Sequence, residues 1–188
     1  MEIRSLAIAS VKLVIPKVHR DDRGFFSETY SRQRMAAAGV PAEFVQDNHA
    51  LSVNPGTLRG LHFQVPPHPQ GKLVRVTRGA IFDVAVDIRQ GSPSFGRHVS
   101  AILSADNWAQ LWVPEGFAHG FCTLEPDTEV IYKVSDFYAL ECERGLAWDD
   151  PDLGIAWPLS GSEATLSDKD RQNPRLRDLP AHFTYHTS

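Results

Sequence analysis

The chain is poor in cysteine, in long apolar segments and in excess charge of either sign. Cys122 and Cys142 are the only cysteines in 188 residues, too few for a disulfide scaffold and suited to a reducing compartment. Lysine and arginine number 19 against 23 aspartate and glutamate residues, so no overall field would hold the chain on nucleic acid or an anionic membrane. No basic start leads into an apolar core with a cleavage site, and charge interrupts the longest apolar stretches. We therefore expect a cytoplasmic protein that binds neither nucleic acid nor membrane.

The length and order of the chain predict one domain over residues 1–188, with its core at about residues 3–180. No linker-like composition or internal repeat interrupts it. Apolar residues recur with a period of two in short runs separated by Gly, Pro and Asp, which is typical of β-strands. Many strands in one domain favour a sandwich or a jelly-roll barrel with a ligand in its mouth.

The clearest predicted hairpin spans residues 72–88, with its turn at Gly79. Lys72 lies on the apolar face of the first strand, and Asp83 and Asp87 lie opposite the apolar face of the second. Because of this parity, we expect the stem of Lys72 to run over an apolar lining and its ammonium to reach into the barrel.

Only two short flanking helices are predicted. The first covers residues 31–38, capped by Ser31 and ended by Gly39. The second is opened by Ser167 near the C-terminus.

Two blocks, residues 59–64 and 114–121, have the spacing of the two half-motifs of a cupin barrel. A metal-dependent cupin oxygenase or isomerase needs a His, His, Glu, His ligand set, and the corresponding residues here are His62, Gln64, Lys72 and His119. An ammonium in place of the glutamate would repel a divalent cation. The sequence therefore predicts no metal site and favours organic acid/base chemistry on a small polar substrate.

Nine blocks stand in order along most of the chain: residues 23–26, 46–49, 59–64, 70–76, 82–89, 114–121, 132–133, 148–151 and 167–170. Together they resemble the nucleotide-sugar epimerases typified by dTDP-4-dehydrorhamnose 3,5-epimerase. The resemblance implies an all-β, homodimeric, cupin-type jelly roll without a cofactor. It also implies inversion of carbons 3 and 5 of dTDP-4-dehydro-6-deoxy-D-glucose, which gives dTDP-4-dehydro-L-rhamnose.

Such an inversion needs a base on one face of the sugar, stabilisation of the enolate oxygen, and an acid on the opposite face. His62 suits the base because imidazole titrates near neutral pH. The resemblance makes Asp170 the partner that orients His62 and favours its charged form. The alternative for Asp170 is a helix-capping pattern over residues 167–170, in which it would be a first-turn acid.

Lys72 and Tyr132 are the other two predicted catalytic residues. The resemblance places Lys72 at the substrate, where an enolate or a phosphate would supply the anion that a buried ammonium needs. Tyr132 shares strand parity with apolar neighbours, and the resemblance makes it the proton donor. The alternatives are a lysine at the barrel rim with its head in water and a core tyrosine bonded to backbone.

The resemblance assigns the nucleotide half of the substrate to polar and aromatic side chains. Arg23, Arg59 and His119 would hold the diphosphate, since guanidinium forks suit it, and Tyr138 would stack on thymine. Further contacts are implied for Phe26, Glu28, Gln46, Asn48, Glu143 and Lys169. The segment that carries Arg23, Phe26 and Glu28 is offered to the neighbouring subunit in the family, so a homodimer would share its active sites.

Three departures from the family pattern bear on specificity. Phe63 replaces a usual tyrosine, Leu140 replaces a usual proline, and residues 97–100 lack a common tryptophan. None removes a catalytic group, but they leave open an epimerase that acts only at carbon 3 or only at carbon 5 of a related dTDP-4-keto sugar. A catalytically silent sugar-nucleotide sensor could lose the base, the acid or the carboxylate, and all three are present.

Overall fold

The computed structural model describes residues 1–40, 43–159 and 164–186. Within these ranges the chain forms one α-helix, α1 (Arg32–Ala37), and short 3₁₀ turns at Leu140–Cys142, Asp170–Gln172 and Leu176–Asp178. The strands in the same ranges are β1 (Glu2–Ser5), β2 (Lys12–Ile15), β3 (Val18–Asp21), β4 (Gly24–Ser27), β5 (Gln46–Ser52), β6 (Leu58–Gln64), β7 (Lys72–Arg78), β8 (Ala80–Asp87), β9 (Arg89–Gln90), β10 (His98–Ser104), β11 (Gln110–Val113), β12 (Phe117–Thr123), β13 (Thr128–Val134), β14 (Glu143–Gly145) and β15 (Phe183–Thr184). No helix in this part of the chain is long and apolar enough to span a membrane.

Two antiparallel sheets build a jelly-roll barrel, which confirms the predicted all-β fold. The six-stranded sheet has the order β1-β2-β11-β7-β13-β5, and the five-stranded sheet has the order β10-β8-β12-β6-β14. Apolar side chains from both sheets meet between them, among them Val74 and Val130 from the first and Ile81 and Phe121 from the second. Burial of this shared interior is the main force that holds the sheets together.

The predicted hairpin over residues 72–88 is wrong in its pairing. β7 pairs with β11 and β13, whereas β8 pairs with β10 and β12 in the opposite sheet. The chain therefore crosses between sheets at Gly79, which has φ +73°. Only glycine adopts that conformation without strain. A β-carbon at this position would also clash with the Thr128 hydroxyl oxygen. A period of two shows that each arm is a strand but not which strand it pairs with.

β8 is buried on both faces, because each sheet face is covered. Ile81 and Ala85 point into the core between the sheets, whereas Val84 and Val86 pack in a second cluster outside it. Asp83 has the parity of Ile81 and Ala85 and is fully buried. A carboxylate therefore lies inside the barrel.

The helix predictions are only partly correct. α1 begins after Ser31 as predicted, but the Ser31 side chain makes no capping hydrogen bond. Gly39 ends it with φ +78°, where its N–H donates to the carbonyl of Ala36. Ser167 opens only a 3₁₀ turn, in which its hydroxyl accepts a hydrogen bond of 3.2 Å from the Asp170 N–H.

β3 and β4 form a hairpin that pairs with neither large sheet. Its aromatic side chains are largely exposed, Phe25 by 62% and Phe26 by 72%. Adjacent large apolar rings in water are unusual on a surface without a partner.

Candidate active site

A cavity of about 420 Å³ lies between the two sheets and borders the core. It brings together six of the residues predicted from the sequence. They are Arg59 and His62 on β6, Lys72 on β7, His119 on β12, Tyr132 on β13, and Asp170 on a 3₁₀ turn. The carboxylate and the tyrosine are 38 positions apart in the chain, so only the barrel topology places them together.

Close approach of β6 and β12 sets the spacing of the histidines. Gly60 lies between Arg59 and His62 with φ +134°, and a β-carbon there would come within 2.6 Å of the Gly120 α-carbon. Only glycine fits, because any side chain would push the two strands apart. The register then pairs His62 directly with His119.

His62 and Asp170 form the tightest polar contact in the cavity. His62 Nε2 lies 2.5 Å from Asp170 Oδ1, and the side chains are 27% and 5% exposed. Burial disfavours the charged carboxylate, but the hydrogen bond and charge of His62 outweigh it, so the pKa of Asp170 is lowered. Asp170 thus makes the predicted histidine contact and is also the first-turn acid of the capping alternative, since Ser167 accepts from its N–H.

Backbone hydrogen bonds fasten the segment that carries Asp170 to the start of β6. The Leu58 N–H donates to the Thr165 carbonyl over 2.9 Å, and the Thr165 N–H donates to the Gly56 carbonyl over 3.0 Å. The carboxylate is therefore carried to the strand of its histidine partner by a fixed backbone connection rather than by a free loop.

Lys72 lies inside the cavity beside the histidine. Its Nζ donates a 3.4 Å hydrogen bond to the backbone carbonyl of His62, and its side chain is half-buried. Burial lowers the pKa of Lys72 to about 8, although the nearby Glu143 and Asp83 carboxylates oppose that shift. This position is not the exposed rim that the alternative for Lys72 required.

Tyr132 faces the same cavity from the other sheet. Burial raises the pKa of its phenol, an effect that the Arg59 guanidinium partly offsets and the Glu143 carboxylate reinforces. Within residues 1–40, 43–159 and 164–186 its hydroxyl makes no hydrogen bond to backbone, which was the alternative for a core tyrosine. The phenol therefore keeps its proton at neutral pH and faces the ligand space.

Arg59 and His119 are held by hydrogen bonds to neighbouring strands, Arg59 to β5 and His119 to β8. Arg59 donates from Nε to the Ser52 hydroxyl over 3.2 Å and from Nη2 to the Leu51 carbonyl over 3.1 Å. His119 Nε2 lies 2.6 Å from Asp83 Oδ1, and both side chains are buried.

Asp83 is a site residue that the sequence reasoning missed. Its second carboxylate oxygen is buried and has no hydrogen-bond partner in the described part of the chain. Its parity with Ile81 and Ala85 on a core-facing strand was the signal that could have identified it.

A smaller cavity of about 120 Å³ adjoins the first and shares His62, Lys72 and Tyr132 with it. The predicted residues Gln46, Asn48, Tyr138 and Glu143 line it. Gln64 and Gln70 line it as well, and no substrate role was predicted for them.

Glu143 connects the aromatic ring of this smaller cavity to a lysine. The Tyr138 hydroxyl donates to Glu143 Oε2 over 2.8 Å, and Lys169 Nζ lies 2.5 Å from Glu143 Oε1. Burial disfavours the charged form of Glu143, but these two hydrogen bonds outweigh it and lower its pKa.

Arg23, Phe26 and Glu28 lie outside both cavities of their own chain. Arg23 pairs with Asp21 over 2.5 Å and its side chain is 89% exposed, and Glu28 pairs with Arg34 over 3.3 Å. One copy of the chain does not bring these three residues to the other predicted contacts.

The donor set around His62 does not suit a metal ion. In the ranges that the structure describes, no three His, Cys, Asp or Glu side chains converge on one point. At the positions of a cupin ligand set, Gln64 and Lys72 offer an amide already bonded to backbone and an ammonium. Both cysteines are free and buried, in keeping with the sequence expectation of structural thiols.

Comparison with known proteins gives a consistent match over nearly the whole chain. Residues 5–178 match the family model described as dTDP-4-dehydrorhamnose 3,5-epimerase. The protein of that name from Sinorhizobium fredii is 54% identical over 185 residues, which cover 98% of this chain and 94% of that protein. The one from Pseudomonas aeruginosa is 51% identical over 179 residues, which cover 95% and 97%. A crystal structure of the Legionella pneumophila epimerase in complex with dTDP-4-keto-L-rhamnose superposes with a TM-score of 0.94 at 43% identity, covering 99% of each chain.

Proposed function

Because the chain belongs to the dTDP-4-dehydrorhamnose 3,5-epimerase family, we propose that it inverts carbons 3 and 5 of dTDP-4-dehydro-6-deoxy-D-glucose to give dTDP-4-dehydro-L-rhamnose. The observation that carries the proposal is one cavity in which a histidine–aspartate pair, a lysine and a tyrosine meet. These are the base, the enolate stabiliser and the acid that proton exchange beside a ketone requires. The protein is thus an isomerase that acts on a nucleotide sugar.

His62 is the base that removes the proton next to the ketone. Its contact with the ionised Asp170 fixes the ring and stabilises the imidazolium that forms when the proton arrives. Because Asp170 is almost fully buried, water screens this interaction less than it would screen an exposed pair.

Lys72 stabilises the negative charge that develops on the ketone oxygen. Its ammonium lies next to the backbone of the base, so an enolate formed by His62 is within reach of it. An ammonium fixed in a partly water-excluded cavity stabilises such a charge more than one in bulk water.

Tyr132 delivers a proton to the opposite face of the enolate. Its raised pKa keeps the phenol protonated, and the two cavities meet at His62, Lys72 and Tyr132. Carbons 3 and 5 both flank the ketone, so the same base, stabiliser and acid serve either carbon when the sugar presents it to them.

The nucleotide half of the substrate occupies the space around these residues. Arg59 and His119 bind the diphosphate, and the contact with Asp83 orients the His119 ring. Tyr138 stacks on thymine. The sugar and the nucleoside are contacted by Gln46, Asn48 and Glu143 of the smaller cavity and by Lys169, which pairs with Glu143.

The functional unit is a homodimer in the cytoplasm. The unpaired β3–β4 hairpin, with its exposed Phe25 and Phe26, supports a role in reaching the site of a second copy. Arg23, Phe26 and Glu28 would then complete the neighbour's nucleotide subsite. The buried, unpaired thiols suit a reducing compartment.

Proton NMR in deuterated water tests the proposed reaction. The wild-type protein is incubated with dTDP-4-dehydro-6-deoxy-D-glucose, and carbons 3 and 5 are followed for deuterium and configuration. Deuterium and inversion at both carbons support the 3,5-epimerase, whereas deuterium at one carbon alone identifies a single-position epimerase. A sugar that stays unlabelled at both carbons would rule out the epimerase activity.

A further inference from the structure

Gln64 ends β6, two residues after the base, and uses its whole amide in hydrogen bonds. Its side chain is buried, with 4% of the residue exposed. Its Nε2 donates to the carbonyl of His68 over 2.7 Å and to the carbonyl of Phe137 over 3.1 Å, and its Oε1 accepts from the Ala139 N–H over 2.8 Å. A glutamine offers two donor hydrogens and one carbonyl acceptor, and all of them are engaged here.

Two of these hydrogen bonds lie on either side of Tyr138. Gln64 holds the carbonyl of the residue before Tyr138 and the N–H of the residue after it. The Tyr138 side chain itself is largely exposed, with 53% of the residue accessible, so little packing fixes the ring. The ring direction is therefore set by this backbone and by the hydroxyl contact with Glu143.

Two further glutamines act on the same loop, residues 136–139. Gln70 Nε2 donates to the Asp136 carbonyl over 2.8 Å, and Gln46 Oε1 accepts from the Tyr138 N–H over 3.2 Å. Of the three, Gln64 is the most buried and the only one that bonds to two residues of the loop in the described part of the chain. It is thus the main attachment of the Tyr138 loop to the barrel.

We propose that Gln64 is a positioning residue for nucleotide recognition, because it holds the backbone on both sides of Tyr138 so that the ring is preorganised to stack on the nucleoside base. The inference rests on the proposed function, in which Tyr138 binds thymine. This proposal gives Gln64 a role in substrate binding, although it stands at the position where metal-dependent cupins have a metal ligand. Preorganisation of an exposed ring strengthens binding because less conformational freedom is lost when the base arrives.

The chemistry of the three contacts requires an amide. In a glutamate, a carboxylate oxygen would replace the Nε2 that donates to two carbonyls, so both contacts would become repulsions between oxygens. A methionine of similar length would make none of the three hydrogen bonds. Gln64→Met therefore removes the attachment with the least change in volume.

The test is calorimetric titration of the full-length protein with dTDP and, separately, with inorganic pyrophosphate. Pyrophosphate reports on the diphosphate subsite at Arg59 and His119 and does not need the Tyr138 ring. We expect Gln64→Met to weaken dTDP binding by about 10-fold, the scale of one base–aromatic stack, and to change pyrophosphate binding by less than about twofold. KM for the sugar nucleotide should rise by a similar factor, with a smaller change in kcat.

A double-mutant cycle separates this role from a general effect on the fold. If Gln64 acts through Tyr138, Gln64→Met has no further effect on dTDP binding in a Tyr138→Ala background. Gln70→Met removes only the Asp136 contact and should give a milder loss, also absent in that background. Thr128→Val is the matched control, because it also removes a buried side-chain hydrogen bond to backbone, the 2.8 Å bond to the Glu125 carbonyl. Thr128 begins β13, at the end of the strand away from the Tyr138 loop, so the variant should bind dTDP as tightly as the wild type.

Equal weakening of dTDP and pyrophosphate by Gln64→Met, or additive losses in the cycle, would overturn the proposal. Wild-type affinity in a folded Gln64→Met protein would overturn it as well. If Gln64→Met does not fold, additive losses for Gln70→Met and Tyr138→Ala have the same consequence. If the wild type binds no dTDP, the proposed function fails and this inference fails with it. If the wild type binds dTDP, the proposed function stands, and the affinities of the variants alone test the role of Gln64.

Discussion

Lys72 should set the alkaline limit of the reaction. Burial lowers the pKa of its ammonium to about 8, despite the opposing effect of the Glu143 and Asp83 carboxylates. A lysine loses its charge as the pH rises, so the charged fraction falls from about 90% at pH 7 to about 10% at pH 9. If stabilisation of the enolate depends on this charge, kcat/KM falls about 10-fold over the same interval.

Steady-state rates of product formation between about pH 6 and about pH 9.5 measure this limit. kcat/KM reports the free enzyme, so its alkaline limb should have a midpoint near pH 8. kcat reports the substrate complex, in which the anionic substrate favours the ammonium, so its limb should lie at higher pH. Tyr132 should add no limb in this range, because burial raises the pKa of the phenol above its ordinary value.

Two variants show whether the limb belongs to Lys72. Lys72→Met should be slow at every pH and should lack the limb. Lys133→Met removes an outer lysine of β13 that pairs with Asp47 over 2.9 Å, and should keep the wild-type profile. A kcat/KM that stays level through pH 9, or the same limb in Lys72→Met, would refute the argument.

Two further predictions concern metals and assembly. Activity should survive exhaustive treatment with EDTA, because Lys72 and Gln64 stand where a metal site needs anionic or imidazole ligands; loss of turnover that added metal restores would contradict this. The protein should sediment as a dimer, and Arg23→Ala should raise KM about 10-fold or more while its melting temperature hardly changes, since the Arg23 side chain is 89% exposed. A fully active monomer at assay concentration would exclude a shared site.

Most residues of the catalytic cluster could be predicted from the sequence, because they lie in short motifs or share strand parity with apolar neighbours. The parity of Lys72 and Tyr132 with apolar neighbours predicted inward side chains, and both line the cavity. The contact between His62 and Asp170 was available only through the family resemblance, since no local pattern relates residues 108 positions apart.

Other features lie beyond local patterns for physical reasons. The exchange of sheets at Gly79 depends on which strands are free to pair, and that is a property of the whole barrel. The role of Gln64 depends on hydrogen bonds to backbone 73 and 75 positions away, which no sequence period reports. Asp83 was visible as a charged residue on an alternating strand, but its burial follows from both faces of β8 being covered.

Deuterium exchange in two variants tests the assignment of base and acid. His62→Asn and Tyr132→Phe should each lower turnover by about 100-fold or more, the scale of a lost acid/base group. Their failures should differ, because His62 acts before the enolate forms and Tyr132 acts after it. Circular dichroism of both variants verifies that they are folded.

The decisive comparison sets deuterium incorporation at carbons 3 and 5 against the configuration of the product in deuterated water. His62→Asn should exchange neither proton, since no enolate forms without the base. Tyr132→Phe should still exchange, because His62 can return a deuteron to the face from which it took the proton, while inverted product nearly disappears. If His62→Asn exchanges as fast as the wild type and Tyr132→Phe does not exchange at all, the roles of the two residues are reversed.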